Sequence, residues 1–100
     1  MTVQETYEDL HKTFSERSYE KEKYKVQLRT DNMYYRVLCI RSGTYYKQFQ
    51  YDIGQIQESE LQSFVMNVCD IILRSMFVVS YCIKILEETP EKILYEIEIL

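Results

Sequence analysis

The chain lacks several residue types on which common active sites depend. Its 100 residues include one histidine, two glycines and three cysteines, and alanine and tryptophan are absent. Two glycines leave little material for a phosphate-binding loop, and no Walker, dinucleotide-binding, HExxH or G-x-S-x-G motif occurs. Cys39, Cys69 and Cys82 are widely spaced and form no C-x-x-C pair, which argues against a zinc site. We therefore expect no catalytic residue, no metal and no cofactor, and we do not expect an enzyme.

Export and membrane-spanning signals are also missing. Residues 1–20 are polar and lack the apolar segment of a secretory signal. The longest apolar-rich stretch, residues 65–85, is interrupted by charged and polar side chains, so it does not predict a membrane span. An odd number of unclustered cysteines is typical of reduced thiols. We expect a cytoplasmic protein without membrane contact.

What the chain does contain is typical of one folded domain. It is 46% hydrophobic and 28% charged, and its length predicts a single domain over residues 1–100. The net charge of −4 is unevenly distributed, with −3 in residues 1–20, +5 in residues 21–50 and −6 in residues 51–100. Ten tyrosines and ten isoleucines, beside the missing alanines, are typical of an AT-rich coding genome such as that of a phage or another mobile element.

Two segments have helical periodicity. Thr2 and Glu5 match a capping box, and the apolar residues that follow recur at spacings of three and four. This pattern predicts a helix over residues 3–20. Ser59 and Gln62 match a second capping box, and a wider apolar face follows it. Residues 59–75 are therefore predicted to form the principal core helix.

Five segments have the composition or the alternation of strands. Three lie between the helices, at residues 24–29, 33–41 and 44–53, with turns predicted at Asp31-Asn32 and at a two-residue Ser42-Gly43 loop. Residues 77–87 and 93–99 form a last pair, joined by a turn in which Pro90 fixes the first corner. The order α-β-β-β-α-β-β predicts an α+β domain, with an antiparallel meander and a C-terminal hairpin packed on a core helix. Whether the five strands form one sheet stays open at this stage.

Cys39 invites comparison with a catalytic nucleophile, because Arg41, Ser42 and Gly43 follow it. The cysteine-phosphatase signature needs an arginine six residues after the cysteine, in a loop that opens a helix. Position 45 is a tyrosine, and no helix follows. A reactive thiol also needs a partner base or an electropositive helix end, and the only histidine, His11, is on a different element. We interpret Cys39 as a strand residue.

The hairpin register sorts the meander into two faces. The first face holds Leu38, Ile40 and Phe49 and is predicted to lie under the core helix. A three-residue first loop adds residues 25, 27 and 29 to the second face, whereas a two-residue loop reverses that strand, and both registers stay open. On the three-residue register the second face carries the side chains expected to bind a partner, which are Arg29, Tyr35, Arg41, Tyr46, Gln48 and Gln50. Tyrosine and arginine are enriched at interface hot spots.

These features predict a small non-enzymatic intracellular protein that acts by protein–protein contact. Among such proteins are inhibitors that phages and mobile elements direct against host defence nucleases (anti-CRISPR-like proteins). The tyrosine-rich face or the acidic residues of the second half would occupy the partner, and a homodimer is also compatible with such a sheet. The alternative is a single-stranded nucleic-acid-binding module that uses the basic, tyrosine-rich strands of residues 24–51. A solvated sheet face without any partner is the third interpretation.

Overall fold

The chain folds into two helices and one five-stranded sheet, and the computed structural model describes all residues from 1 to 100. In chain order the elements are α1 (Val3–Ser15), β1 (Lys23–Thr30), β2 (Tyr35–Ser42), β3 (Tyr45–Asp52), α2 (Leu61–Ser75), β4 (Tyr81–Glu88) and β5 (Lys92–Ile99). Two short 3₁₀ turns, Ile53–Gln55 and Glu58–Glu60, connect β3 to α2. The predicted α+β fold and the predicted order of its elements are confirmed.

All five strands belong to one antiparallel sheet with the order β3-β2-β1-β5-β4. The C-terminal hairpin joins the meander through β5, which pairs with β1 along most of its length. As a result β1 is the central strand, and β3 and β4 are the two edges of the sheet.

Both helices pack against the same side of this sheet. A single core cluster contains residues of α1, of α2 and of alternate positions in β1, β2, β3 and β5. Ile72 of α2, Val26 of β1 and Ile97 of β5 are fully buried in it. Complete burial of one such side chain stabilises the fold by about 1.5–3 kcal/mol. Because both helices lie on this side, the other side of the sheet carries no helix, and the remaining alternate strand residues point to it. We call these sides the covered face and the open face.

Arg36 of β2 and Lys47 of β3 are charged residues on the covered face, and neither belongs to the apolar core cluster. Arg36 is buried, and its guanidinium donates to the backbone oxygen of Ile56 at 3.0 Å and to the hydroxyl of Thr30 at 2.7 Å. Lys47 Nζ lies 3.3 Å from Asp9 Oδ2, an ion pair without the alignment of a hydrogen bond. Arg36 therefore holds the segment after β3 against the sheet, and Lys47 attaches β3 to α1.

The helix ends differ from the prediction at two places. The capping box of Thr2 and Glu5 is present, but α1 ends at Ser15 because the positions that would continue its buried stripe are polar, namely Arg17, Ser18 and Lys21. The capping box predicted at Ser59 is wrong. Gln57 and Glu60 form one instead around the 3₁₀ turn, so α2 begins at Leu61.

The hairpin turns are shifted along the chain, but the predicted faces are confirmed. Ser42 pairs with Tyr45, so the two-residue loop is Gly43-Thr44 and the prediction of Ser42-Gly43 is wrong. Gly43 has a φ of 56°, the left-handed conformation that such a turn requires. In the first loop Thr30 pairs with Arg36, which leaves five residues between them, so neither the two-residue nor the three-residue alternative is correct, but the three-residue one gives the observed faces. Both shifts are by an even number of residues, so every side chain keeps its face.

The strand predicted to begin at Phe77 begins at Tyr81. Phe77 instead ends α2, because its N–H donates to Arg74 O and the N–H of Val78 donates to Leu73 O. This pair of bonds is the Schellman arrangement, in which the first residue after the helix cap adopts a left-handed conformation. Phe77 has a φ of 59° at that position, where glycine is usual. Because an aromatic residue stands in place of the glycine, the position carries no turn signal, and the strand was predicted to begin there.

Candidate protein-interaction face

The open face places side chains of all five strands in rows across the sheet. One row runs from Tyr46 through Arg41, Lys25 and Glu96 to Lys84. The next row runs through Gln48, Cys39, Gln27 and Leu94. Arg29, Val37 and Gln50 form a third row. The six residues predicted to bind a partner therefore all lie on one uncovered surface.

Arg41 and Tyr46 form the most prominent pair on this surface. They are paired across β2 and β3, and the guanidinium carbon of Arg41 lies 5.2 Å from the centroid of the Tyr46 ring. Such a cation–π contact holds the planar guanidinium in place. Tyr46 nonetheless keeps 49% of its surface exposed, so its ring remains available for contact with a partner.

A polar network surrounds the buried thiol of Cys39. Arg29 Nη1 donates to Cys39 Sγ at 3.2 Å, and the Tyr46 hydroxyl lies 3.7 Å from the same sulfur while it donates to Gln48 Oε1. The contact with Cys39 raises the pKa of Arg29 and the pKa of Tyr46 above their ordinary values. The network fixes Arg29, Tyr46 and Gln48 relative to one another, which reduces the entropy that these side chains would lose on binding.

The floor of the open face is apolar in its middle. Val37 and Cys39 are buried although no helix covers them, because longer neighbouring side chains lie over them. Leu94 of β5 adjoins Cys39 in a shallow depression of about 100 Å³, whose other lining residues are Lys25, Gln27 and Arg41. Leu94 was missed by sequence reasoning, since only the pairing of β5 with β1 brings it to this surface.

Charge on the open face is divided between its two halves. Lys25 and Arg41 are neighbours across β1 and β2, and neither takes part in an ion pair. Arg29 lies 3.6 Å from Asp31. On the other half, β5 contributes Glu96 and Glu98, and Lys84 of β4 lies 3.6 Å from Glu98. The half that carries Tyr46 is thus cationic, and the half around β5 is acidic.

Tyr35 lies apart from the other aromatic residue of this face. It is six residues from Arg41 along β2, a separation of roughly 20 Å in an extended strand. Its ring is 6.4 Å from that of Tyr34, in an edge-on arrangement at the end of the sheet. The structure therefore does not bring Tyr35 together with Tyr46, and the pair would contact separate parts of a large partner.

The largest depression of the molecule is a groove of about 510 Å³ between α1 and α2. His11 Nδ1 lies 3.0 Å from Ser75 Oγ there. A serine–histidine pair can act as a nucleophile and base, but Ser75 is buried at the C-terminal end of α2. Helix carbonyls at that end disfavour a developing oxyanion. The pair therefore joins the ends of the two helices and does not resemble a catalytic site.

In comparisons with known proteins, no family model, curated protein or solved structure matches this chain. Neither helix has both the length and the apolar character needed to cross a membrane. No group of three or more histidine, cysteine, aspartate or glutamate side chains is arranged to hold a metal ion.

Proposed function

We propose that this protein is a cytoplasmic binding protein whose open face docks on another protein, without any chemistry of its own. The observation that carries the proposal is the uncovered side of the sheet. There the exposed ring of Tyr46 is paired with Arg41, which borders a shallow depression lined by Leu94 and Cys39. Apolar floors bordered by tyrosine and arginine are typical of interface centres, where these residues contribute most of the binding energy.

The charges of the open face indicate which charges the surface of the partner should carry. Neither Arg41 nor Lys25 forms an ion pair, although Glu96 lies opposite Lys25 in β5, so we expect acidic side chains of a partner at these two cations. Glu96 and Glu98 border the same surface through β5 and would repel an acidic partner at that side. A partner surface that fits would have an acidic patch opposite the cationic half, an apolar patch next to it and a basic patch opposite β5. Charge complementarity of this kind determines the orientation of the complex and its association rate.

We further propose that docking inhibits the partner by steric occlusion, as an inhibitor of a host defence nuclease would. The composition supports a phage or mobile-element origin, because alanine is absent while isoleucine and tyrosine are abundant. The acidic second half supplies a second surface for a basic nuclease channel. Glu58 and Glu88 line one depression of about 300 Å³ where the turn before α2 meets the end of β4.

A capture experiment with surface variants tests the proposed face. Immobilised wild-type protein is incubated with lysate of its native host, and retained proteins are quantified by mass spectrometry. We expect a protein that is retained by the wild type and by the control variant Ser63→Lys on the exposed side of α2. Its retention should fall about tenfold or more with Tyr46→Ala or Arg41→Glu, as expected for hot-spot residues. Equal retention by all variants would refute the open face as the binding surface.

A second candidate function is binding of single-stranded nucleic acid, because the unpaired cations Lys25 and Arg41 lie beside the exposed ring of Tyr46. Bases stack on aromatic rings and phosphates pair with cations at such sites. Arg41 already occupies one side of the Tyr46 ring, and the carboxylates of β5 border the surface, which favours a protein partner. Fluorescence anisotropy of labelled DNA and RNA strands of about 16 nucleotides, at low and moderate salt, separates the two functions. Saturable, salt-sensitive binding that Tyr46→Ala abolishes would favour nucleic acid.

A further inference from the structure

Every residue of β4 except the partly buried Ile83 is exposed, unlike those of the other strands of the sheet. Its alternate residues Tyr81, Ile83 and Ile85 lie on the covered face, opposite buried residues of β5. Ile83 packs partly against the core, but Tyr81 and Ile85 are 45% and 56% exposed. Six of the thirteen exposed large apolar side chains belong to this part of the molecule, and they are Phe77, Val79, Tyr81, Ile85, Leu86 and Leu100.

Phe77 is the most informative member of this group. It holds a left-handed conformation at the position where a Schellman motif usually has glycine, and 81% of its surface is exposed. A left-handed conformation costs a residue with a side chain roughly 1–2 kcal/mol. Burial within the monomer does not compensate for this strain. Strained residues of this kind are concentrated at functional surfaces, which indicates that the ring is needed for contact outside the chain.

The backbone of β4 is also free to pair on its outer side. Leu100 N–H donates to Ser80 O at 3.1 Å, so the polar groups of Ser80 point toward β5. Ile99 N–H donates to Glu22 O at 2.9 Å, so Ile99 does not bond to Tyr81, its neighbour in β4. Since these directions alternate along a strand, the N–H and C=O groups of Tyr81, Ile83 and Ile85 point to the free edge.

We propose that β4 pairs with β4 of a second copy of this chain, antiparallel and about a two-fold axis at Ile83. In this register Ile83 faces its own counterpart and Tyr81 faces Ile85 of the other copy. All three positions have outward-pointing backbone groups, so two five-stranded sheets join into one of ten strands. The same register puts the exposed apolar side chains of both strands on one side of the seam. The segment of Phe77 and Val79 then runs beside the second half of the other copy's β4, where Leu86 is exposed.

Charges at the seam are compatible with a second copy. Lys84 faces Cys82 of the other copy, and no acidic residue of one β4 faces an acidic residue of the other. The two Lys84 side chains are flanked by Glu96 and Glu98 of each copy on the open face. The ion pair of each Lys84 with Glu98 of its own copy offsets the repulsion between the two cations across the seam. The β-bulge between Ile85 and Glu87 lies outside the paired segment and does not interrupt it.

Sedimentation velocity under reducing conditions, across the micromolar range, tests the association. We expect the sedimentation coefficient of the wild type to correspond to a dimer, with twice the mass of the monomer. Ile85→Lys should raise the dissociation constant about tenfold or more, because it buries an unpaired charge at the seam. The control Ser63→Lys adds the same charge on α2 and should leave the association unchanged. A wild-type protein that stays monomeric at all concentrations would overturn the proposal.

Phe77→Gly separates the role of this residue in association from its role in folding. Glycine relieves the strained conformation, so the monomer should keep its fold and its resistance to urea should rise or stay the same. The same variant should weaken dimerisation, because it removes an exposed ring next to the seam. Unchanged dimerisation with Phe77→Gly would place the association elsewhere on the molecule.

Site-specific disulfides test the register independently of affinity. In a Cys82→Ser background, Ile83→Cys puts two thiols on the two-fold axis at a hydrogen-bonded pair, where Cα atoms lie about 5.5 Å apart and a disulfide fits. We expect rapid cross-linking of this variant under mild oxidation. The matched variant Lys84→Cys places its thiols diagonally across the seam and should cross-link slowly. Equal rates for both would refute the register, and binding of a host protein at this edge with no dimer would refute the choice of a second copy as occupant.

Discussion

The two edge strands of the sheet, β3 and β4, have the same length and are both two strands from the centre, yet only one of them is covered. On β3, Tyr51 forms a buried hydrogen bond with Thr6 of α1, and Tyr45 packs edge-on against Phe14 at 5.5 Å. The corresponding side of β4 has no helix above it. The difference follows from dimensions. A helix is about 10 Å wide and strands are about 4.8 Å apart, so two helices cover about four strands.

This comparison explains why the apolar side chains are covered on one edge strand and exposed on the other. β3 contributes buried side chains to the core and is attached to α1 by a hydrogen bond and an ion pair. β4 contributes only the partly buried Ile83 to the core. A strand that contributes little to the interior but keeps apolar side chains and free backbone groups is typical of a surface for another chain.

The largest expected effect on the free energy of unfolding comes from a comparison of one apolar residue on each edge strand. Phe49 of β3 is buried, whereas Ile85 of β4 is mostly exposed. Phe49→Ala should lower the free energy of unfolding by about 3–5 kcal/mol, through lost burial and the cavity that remains. Ile85→Ala should lower it by less than about 0.5 kcal/mol in dilute protein. Urea denaturation followed by circular dichroism measures both. Equal losses at the two edges would contradict the difference in cover.

A smaller effect is expected for two tyrosines that both lie beneath α1. The Tyr51 hydroxyl is hydrogen-bonded to Thr6, whereas the buried Tyr45 hydroxyl has no hydrogen-bond partner. Tyr51→Phe should cost about 1–3 kcal/mol, because the Thr6 hydroxyl loses its partner in the core. Tyr45→Phe should leave stability unchanged or raise it, because it removes an unsatisfied polar group. The same urea experiment tests the pair, and a larger loss for Tyr45→Phe would show that α1 is attached differently.

The covered side should also make stability depend on alkaline pH. Burial raises the pKa of Cys69 to about 12. The pKa of Tyr24 is also raised to about 12, mainly by burial. The unfolded chain releases these protons near the ordinary values of 9.0 and 10.0, before the folded protein does. The contribution of both groups is therefore complete below about pH 9 and is lost as the pH rises toward 12. Urea midpoints measured from neutral to alkaline pH should fall in this window. With Cys69→Val the fall should begin nearer pH 10, and a flat profile in the wild type would contradict the burial of these groups.

The sequence predicted the fold well because its periodicities are strong and its faces depend only on parity. Leu38, Ile40 and Phe49 were placed on the covered face correctly although both hairpin loops were misplaced, since each register differed by an even number of residues. All six predicted binding residues consequently lie on the open face. The assignment of side chains to the two faces of the sheet rests on alternation alone.

What the sequence could not provide depends on which elements are neighbours in space. The alternation of Tyr81, Ile83 and Ile85 in β4 is the same as that of Ile93, Tyr95 and Ile97 in β5, and only the position of α2 decides which set is buried. Leu94 and Glu96 join the open face solely because β5 pairs with β1. Phe77 was taken as a strand residue because an aromatic side chain is rare at a helix end of this type.

Photo-cross-linking from the open face tests the central claim most directly. Benzoylphenylalanine replaces Tyr46 in one variant and Ser63 of α2 in a control, each is produced in the native host, and adducts are identified by mass spectrometry after illumination. The proposed function predicts a protein adduct from position 46 that is absent from position 63. An adduct with nucleic acid at position 46, or the same adducts from both positions, would contradict it.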